Sequence, residues 1–279
     1  MFLTSVTADV VRPRYVLCGL PKSGLHLLVG MVQTICEPMP GHFFHPGGSW
    51  WGTFDDHSFS SKWGNIERQL RIVSYLQPGK FFKGHVGHTP EVERFLYLFG
   101  ASFVFIYRDP RDVAVSQTHH ARSTNGERFK HSAHAAYQSL TFDDALSAVI
   151  TGMGPYTGVM DRWELYAPWL DVEWVQSIKF EHAVSLAHRA ETAQLILEYG
   201  IDRTIHQFGA PLKVDQAKHG EAIAAMVEGS QNTDASPTFR KGTVGQWREA
   251  FTEEHKRLFK ASDRNGWLVK LGYEDNEGW

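Results

Sequence analysis

Two cysteines, Cys18 and Cys36, are all this chain of 279 residues carries. They make no disulfide framework, so the fold must be held by burial of apolar surface. Long apolar runs are missing as well. None is long enough to span a bilayer, and Met1–Arg14 has no apolar stretch of the secretory kind. The expectation is a cytoplasmic protein without a membrane partner. Charge of one sign is also scarce: the formal net charge is −3. That argues against nucleic acid as a partner, although a local basic pocket remains compatible with it. There is no internal repeat and no low-complexity linker, so residues 1–279 are expected to form one domain. A hydrophobic content of 42% with 21% charged residues is enough to supply its core.

One further absence concerns chemistry. The nucleotide-binding order Gly-x-x-x-x-Gly-Lys-Ser/Thr, whose hydroxyl holds magnesium, does not occur near the N-terminus. What stands there is Tyr15-Val16-Leu17-Cys18-Gly19-Leu20-Pro21-Lys22-Ser23-Gly24, an apolar strand entering a short basic loop. An amphipathic stretch, Leu25 to Ile35, follows and reads as a helix. A strand, a glycine-bounded loop with Lys22 and Ser23, and a helix N-terminus make an anion site. Loop N–H groups converge there, the helix dipole favours negative charge, and lysine adds a full positive one. Leu25 and His26 stand where a hydroxyl would serve a nucleotide loop.

Strand patterns recur at Lys80–Gly84, Ser102–Tyr107 and Val172–Phe180, separated by helical patterns. The alternation predicts an α/β fold, a parallel sheet flanked by helices. Helices are expected at Trp63–Tyr75, Pro90–Phe99, Arg111–Arg122, Phe142–Thr151, Tyr156–Ala167, Ala187–Tyr199, Gly220–Val227 and Glu253–Ala261. The stretch Glu37–Ser61 has no clean period and is expected as a long acceptor-side loop. Ser123–Ser139 and Glu228–Gly245 are expected as mobile segments. In such sheets ligands sit beyond the carboxyl ends of the strands.

Two more segments fall there. After Ser102–Tyr107 comes Arg108-Asp109-Pro110-Arg111-Asp112-Val113-Ala114-Val115-Ser116. Asp109 is placed to cap a helix and Pro110 to begin it, while Arg108 points into the crevice with Ser116 about two turns on. A guanidinium fork with a hydroxyl suits a phosphate monoester. Near the C-terminus stands Phe239-Arg240-Lys241-Gly242-Thr243-Val244-Gly245-Gln246-Trp247, a flexible cationic loop whose backbone can approach an anion. Phe239 offers a face for a base.

Pro-Lys-Ser-Gly, then Arg-x7-Ser, then Arg-Lys-Gly-x2-Gly-x-Trp is an order that resembles the PAPS-dependent sulfotransferases of the cytosolic type. The likeness runs from about Tyr15 to Tyr273, and the ending Leu271-Gly272-Tyr273-Glu274 is similar to bacterial members. The resemblance implies a P-loop-kinase-like α/β fold. It also implies 3′-phosphoadenosine 5′-phosphosulfate (PAPS) as sulfuryl donor, its desulfonated product PAP, and no metal in the chemistry. Carried over, Pro21, Lys22, Ser23 and Gly24 form the phosphosulfate loop, with Leu25 and His26 at its helix start. Arg108, Ser116, Arg240, Lys241 and Gly242 hold the 3′-phosphate. Lys83 and His85 take the positions of a family Lys-x-His, with His85 as the base and Lys22 and Lys83 beside it as catalytic cations. Imidazole near its ordinary pKa suits removal of a proton from an acceptor hydroxyl; His88 competes for that role.

The chain departs from the family at Leu25 and His26, which replace a threonine pair, at Leu27, where tryptophan often packs on adenine, and at Phe180, which replaces a tyrosine. Trp63 or Phe239 could supply the missing stacking face. Among the other histidines, His42, His45, His57, His119, His120, His131 and His134 have no cysteine or acidic partner at recognisable metal-ligand spacing, so no metal site is expected. Phe43, Phe44, Trp50, Trp51, Phe54 and Phe59 offer aromatic walls for a small-molecule acceptor, expected to be a natural product bearing a hydroxyl or amine. Asp55 and Asp56 would favour a cationic group on it. The competing readings are a nucleotide kinase, which lacks its Gly-Lys-Ser/Thr loop here, and a non-catalytic nucleotide-binding protein.

Overall fold

The computed structural model describes residues 12–39, 73–123, 134–208, 216–231 and 242–279. In chain order the elements are β1 (Tyr15–Gly19), α1 (Leu25–Val32), β2 (Glu37–Pro38), β3 (Lys80–Gly84), α2 (Pro90–Phe99), β4 (Ser102–Tyr107) and α3 (Pro110–Arg122). Then come α4 (His134–Gln138), α5 (Phe142–Thr151), the strand pair β5 (Gly152–Met153) and β6 (Tyr156–Thr157), α6 (Val159–Trp163) and β7 (Gln176–Lys179). The last elements are α7 (Phe180–Val184), α8 (Arg189–Phe208), α9 (Gln216–Gly229), α10 (Trp247–Ala250), α11 (Glu253–Ser262) and α12 (Trp267–Lys270).

Five strands form one sheet in the order β2-β3-β1-β4-β7, and every adjacent pair is parallel. Alternation along the strands decides which side chain meets which helix layer. Val16, Cys18, Phe82, Phe103 and Phe105 face one core, which Val113 of α3, Leu146 of α5, Trp163 of α6 and Phe259 of α11 complete. Tyr15, Leu17, Phe81, Val104, Ile106 and Ile178 face the other, closed by Leu28 of α1, Ile196 of α8 and Met226 of α9. With both faces covered, the expected α/β architecture holds.

Helix starts follow local chemistry. Thr89 accepts the Val92 N–H ahead of Pro90 at 3.3 Å, Asp109 accepts the Arg111 N–H at 2.9 Å, and Thr141 accepts the Asp144 N–H at 3.1 Å. Asp109 and Pro110 thus begin α3 as the sequence predicts.

Several expected boundaries move. Glu37–Pro38, read as the start of a loop, is a sheet-edge strand hydrogen-bonded beside β3. The strand expected over Val172–Phe180 shrinks to Gln176–Lys179, because a 3₁₀ turn at Ala167–Asp171 and a Val175-to-Val172 backbone bond bend the chain before it. The helix expected from Tyr156 begins only at Val159, since Tyr156–Thr157 pairs back on Gly152–Met153 across a Gly-Pro turn. Part of the segment expected to be mobile, His134–Gln138, is helical. Short apolar runs fit helix and strand alike, and pairing settles them. Most of the expected helix Trp63–Tyr75 and of the loop Glu37–Ser61 lies outside the described residues.

Phe103 sits in a cluster of aromatic rings. It is fully buried on β4, with ring centroids 4.4 Å from Trp169 and 6.2 Å from Trp174. Phe103→Ala is expected to cost about 3–5 kcal/mol, a large share of a typical domain's stability. The measurement is the urea midpoint at unchanged slope; a loss below about 1 kcal/mol would contradict this packing.

Candidate active site

The parallel register brings the carboxyl ends of the strands to one edge. Cys18 of β1 lies beside Gly84 of β3, and Gly19 beside Ile106 of β4. Three of the predicted segments therefore leave the sheet together: the Pro21–Gly24 loop, Lys83–His85, and Arg108 with α3.

The loop itself is tightly turned. The Ser23 N–H donates to the Leu20 carbonyl at 3.0 Å. Lys22 has φ 75°, a left-handed conformation that costs a non-glycine residue energy and marks functional turns. Gly24 has φ 105° and begins α1 without a side-chain cap. Only glycine fits there, because a Cβ would come within 2.3 Å of the Phe180 ring. The Ser23 side chain is fully buried and its hydroxyl has no hydrogen-bond partner among the described residues. A buried hydroxyl without a partner is costly unless a ligand meets it. Leu25 turns its side chain into the core, so only its backbone can serve an anion.

His85 is buried at 3% exposure, and its Nδ1 lies 2.6 Å from the Gly19 carbonyl oxygen. A carbonyl only accepts, so Nδ1 carries the proton and Nε2 is the basic nitrogen of the ring. His26, half-buried at the start of α1, feels Lys83, Lys22 and His85. Burial first, then the electrostatic influence of Lys83, Lys22 and His85, pushes its pKa down to about 3. Burial also lowers the Lys83 pKa. Lys22, Lys83 and His85 thus stand around His26 within electrostatic reach of it. His88, the rival base, donates from Nε2 to the Glu93 carboxylate at 2.7 Å and stands edge-on to Trp169. Its ring is engaged in packing the sheet to α2.

Arg108, 4% exposed, is a junction. Its Nη2 donates to the Thr243 carbonyl at 2.7 Å and its Nη1 to the Lys22 carbonyl at 3.4 Å. The guanidinium lies 4.4 Å over the Phe180 ring, and its buried Nε has no partner among the described residues. Phe180 therefore supports Arg108 and Gly24 from beneath. Ser116 is half-buried one turn beyond Asp112, on the same face of α3. Gly242 takes φ 61° at the start of the described C-terminal loop. Phe239, Arg240, Lys241 and Trp63 lie outside the described residues, as do His42, His45, His57, His131 and the aromatic residues from Phe43 to Phe59. Among the described histidines, His134 donates from Nδ1 to the Ala121 carbonyl at 2.9 Å and His119 packs on Phe142 at 4.9 Å. No group of three or more metal-ligating side chains occurs among the described residues.

Sequence reasoning missed the acidic support of the site. Asp112 is fully buried and accepts the Gly245 N–H at 2.7 Å and the Trp247 N–H at 3.0 Å. Glu181 accepts the Asp109 N–H at 3.0 Å and the Tyr273 hydroxyl at 2.9 Å; burial nevertheless raises its pKa. Arg111 is held by Asp109 and Glu274 and sits in the corner made by the perpendicular Trp247 and Trp279 rings, 3.7 and 4.5 Å from their centroids. The available signal was the helical spacing of Asp112 from Arg108, four residues on along one face.

Comparison with known proteins supplies a family. Residues 80–262 match the sulfotransferase domain model. A mouse sulfotransferase, SULT7A1, complexed with PAP is 17% identical, with a TM-score of 0.59 over 94% of this chain and 89% of that one. A retinol dehydratase in complex with androsterone and the inactive cofactor PAP is 17% identical, with a TM-score of 0.52 over 92% of this chain and 81% of that one. At these identities the likeness is one of fold, and it is the P-loop-kinase-like fold expected from the sequence. No curated protein matches the chain by sequence. With more than half of its length matched by that domain model, the chain belongs to the sulfotransferase family.

Proposed function

We propose that this protein transfers the sulfuryl group of PAPS to a hydroxyl, or an amine, of a small-molecule acceptor such as a natural product, with His85 as the base. The observation that carries the reading is the 2.6 Å contact of His85 Nδ1 with the Gly19 carbonyl, next to the Lys22 loop. It fixes the tautomer in which Nε2 can accept a proton. The fold neighbours named above hold PAP, and the residues at the sheet edge fit such a donor. The buried Ser23 hydroxyl and the uncapped start of α1 are acceptor-seeking groups. Arg108 keeps Nε for an anion while its other nitrogens bind protein.

Bound PAPS supplies an activated sulfuryl group joined to a phosphate leaving group. The chain's own part is positioning and charge. Ser23 and the backbone of Gly24, Leu25 and His26 orient the phosphosulfate, with Pro21 shaping the turn before them. Lys22 and Lys83 place positive charge where negative charge grows. Arg108, Ser116 and the Arg240–Gly242 segment hold the 3′-phosphate, and Phe180 backs them. Phe239 remains the candidate face for adenine. His85 Nε2 takes the acceptor's proton. His26, held neutral, offers a hydrogen bond in place of the family's threonine hydroxyl.

Three outcomes are expected. His85→Asn lowers kcat for sulfuryl transfer by about 10²–10⁴ while PAP affinity stays within about twofold, as loss of a general base alone would do. Release of PAP from PAPS with phenolic and aliphatic acceptors, beside calorimetric PAP binding, reads both quantities; near-normal turnover would move the base elsewhere. Ser23→Ala weakens PAPS binding about tenfold, since the hydroxyl serves only the ligand. Equal affinity of the variant and the parent would remove Ser23 from the donor site.

The third outcome concerns pH. His26 has a folded pKa near 3 against an ordinary 6.5. Between those values the unfolded chain binds a proton that the native protein refuses. The contribution of a neutral His26 is therefore fully present above about 6.5 and lost as pH falls towards 3. His26→Gln should flatten this acid limb in urea titrations run from neutral to mildly acidic pH. Parallel curves for the two proteins would mean that His26 is not held neutral.

A further inference from the structure

A fully buried carboxylate within a site built for a polyanion is unexpected, because it repels the ligand and costs desolvation. Asp112 is such a group, with no exposed surface at all. Its position explains why it can be there. One carboxylate oxygen, Oδ2, accepts the Gly245 N–H at 2.7 Å and lies 3.4 Å from Arg108 Nη2; the other accepts the Trp247 N–H at 3.0 Å. Both oxygens are consumed by protein donors, and neither is turned to a ligand.

The two N–H groups belong to the loop that follows Gly242. Thr243, in the same loop, gives its carbonyl to Arg108 at 2.7 Å. Gly245 turns there at φ 79°, and Trp247 opens α10 with its ring against Arg111. The loop is therefore tied to the start of α3 by Asp112 from below and by Arg108 from the side. Arg108 in turn reaches the Lys22 carbonyl of the first anion loop at 3.4 Å.

We infer that Asp112 is a positioning residue for the donor's 3′-phosphate: it sets the Gly242–Trp247 loop against Arg108 before any ligand arrives, so that the 3′-phosphate is met by a preassembled cradle. The inference rests on the assignment of that loop to the 3′-phosphate made above. Preassembly removes the ordering cost from binding, and it does so only for ligands that use the loop. Charge-assisted bonds from a carboxylate to backbone N–H groups are the strong kind, which suits a contact that must fix a glycine-rich segment. An amide at this position can accept from one N–H but sets its own NH₂ group against the other.

The test compares PAP with AMP, which lacks the 3′-phosphate, by calorimetry on the full-length protein and on Asp112→Asn. The expected result is that PAP affinity falls at least about tenfold in the variant while AMP affinity stays within about twofold. KM for PAPS should rise with kcat largely retained. A general loss of folded protein would lower both affinities' apparent stoichiometry and would not change their ratio. An unchanged PAP-to-AMP ratio in Asp112→Asn overturns the inference. No preference for PAP in the parent protein overturns the 3′-phosphate assignment itself, which separates the two failures. Gly245→Ala gives an independent arm if Asp112→Asn does not fold. Alanine is strained at φ 79°, so it disfavours the turn that presents the Gly245 N–H to Asp112. The same selective loss of PAP binding is expected there, and equal retention of PAP and AMP binding would count against the proposal.

Discussion

The register of β1 between β3 and β4 is the constraint on which the active site depends. Because Cys18 pairs with Gly84 and Gly19 with Ile106, the three strands end at one level. The residues that leave them, Leu20, His85 and Arg108, are then neighbours although they are far apart in sequence. The His85–Gly19 bond is a direct product of this alignment. Cys18 contributes in the same place: its Sγ lies 3.2 Å from the Val86 N–H that donates to it, holding the chain just past His85 to β1. A slip of one residue would exchange the two core faces of β1 and break both contacts at once. Stability and site geometry are in this sense the same set of hydrogen bonds.

Electrostatics at the sheet edge is divided between the first loop and the β4–β7 side. The basic groups Lys22, His26, Lys83 and His85 gather around the first loop, where burial and mutual repulsion keep His26 neutral. The acids Asp109, Asp112 and Glu181 lie on the β4–β7 side, and each is occupied by backbone N–H groups or by arginine. Their negative charge is spent on ordering loops and on holding Arg111 against the faces of two indole rings. A buried guanidinium left alone would be prohibitively costly; paired and stacked, it becomes a rigid part.

Much of this was legible in the sequence because it depends on local pattern. β1, β3 and β4 were read at their observed boundaries from short apolar runs, and the Asp109-Pro110 helix start from capping chemistry alone. The basic cluster was legible because a strand-end loop and a Lys-x-His motif needed only a parallel sheet to meet. What escaped was set by pairing across long sequence separations. Glu37–Pro38 becomes a strand only because Lys80 and Phe81 lie beside it. Asp112 looks like an ordinary first-turn acid, favourable to the helix dipole, until Gly245 and Trp247 come back over it from the far end of the chain. Trp279 likewise shows no local pattern, yet its ring covers Arg111.

Leu25 and His26 show how a departure from a family pattern can be absorbed by the fold. Where the family has two hydroxyls, this chain has one apolar side chain and one imidazole. Leu25 is 3% exposed and packs with Leu28 and Phe180, so that position contributes to the core and leaves only its N–H at the loop. The side chains left at the loop are Ser23, whose hydroxyl is buried without a partner among the described residues, and His26, kept neutral by burial first and then by Lys83, Lys22 and His85. The substitution therefore changes how the loop meets charge while leaving its backbone geometry, set by Lys22 and Gly24, in place.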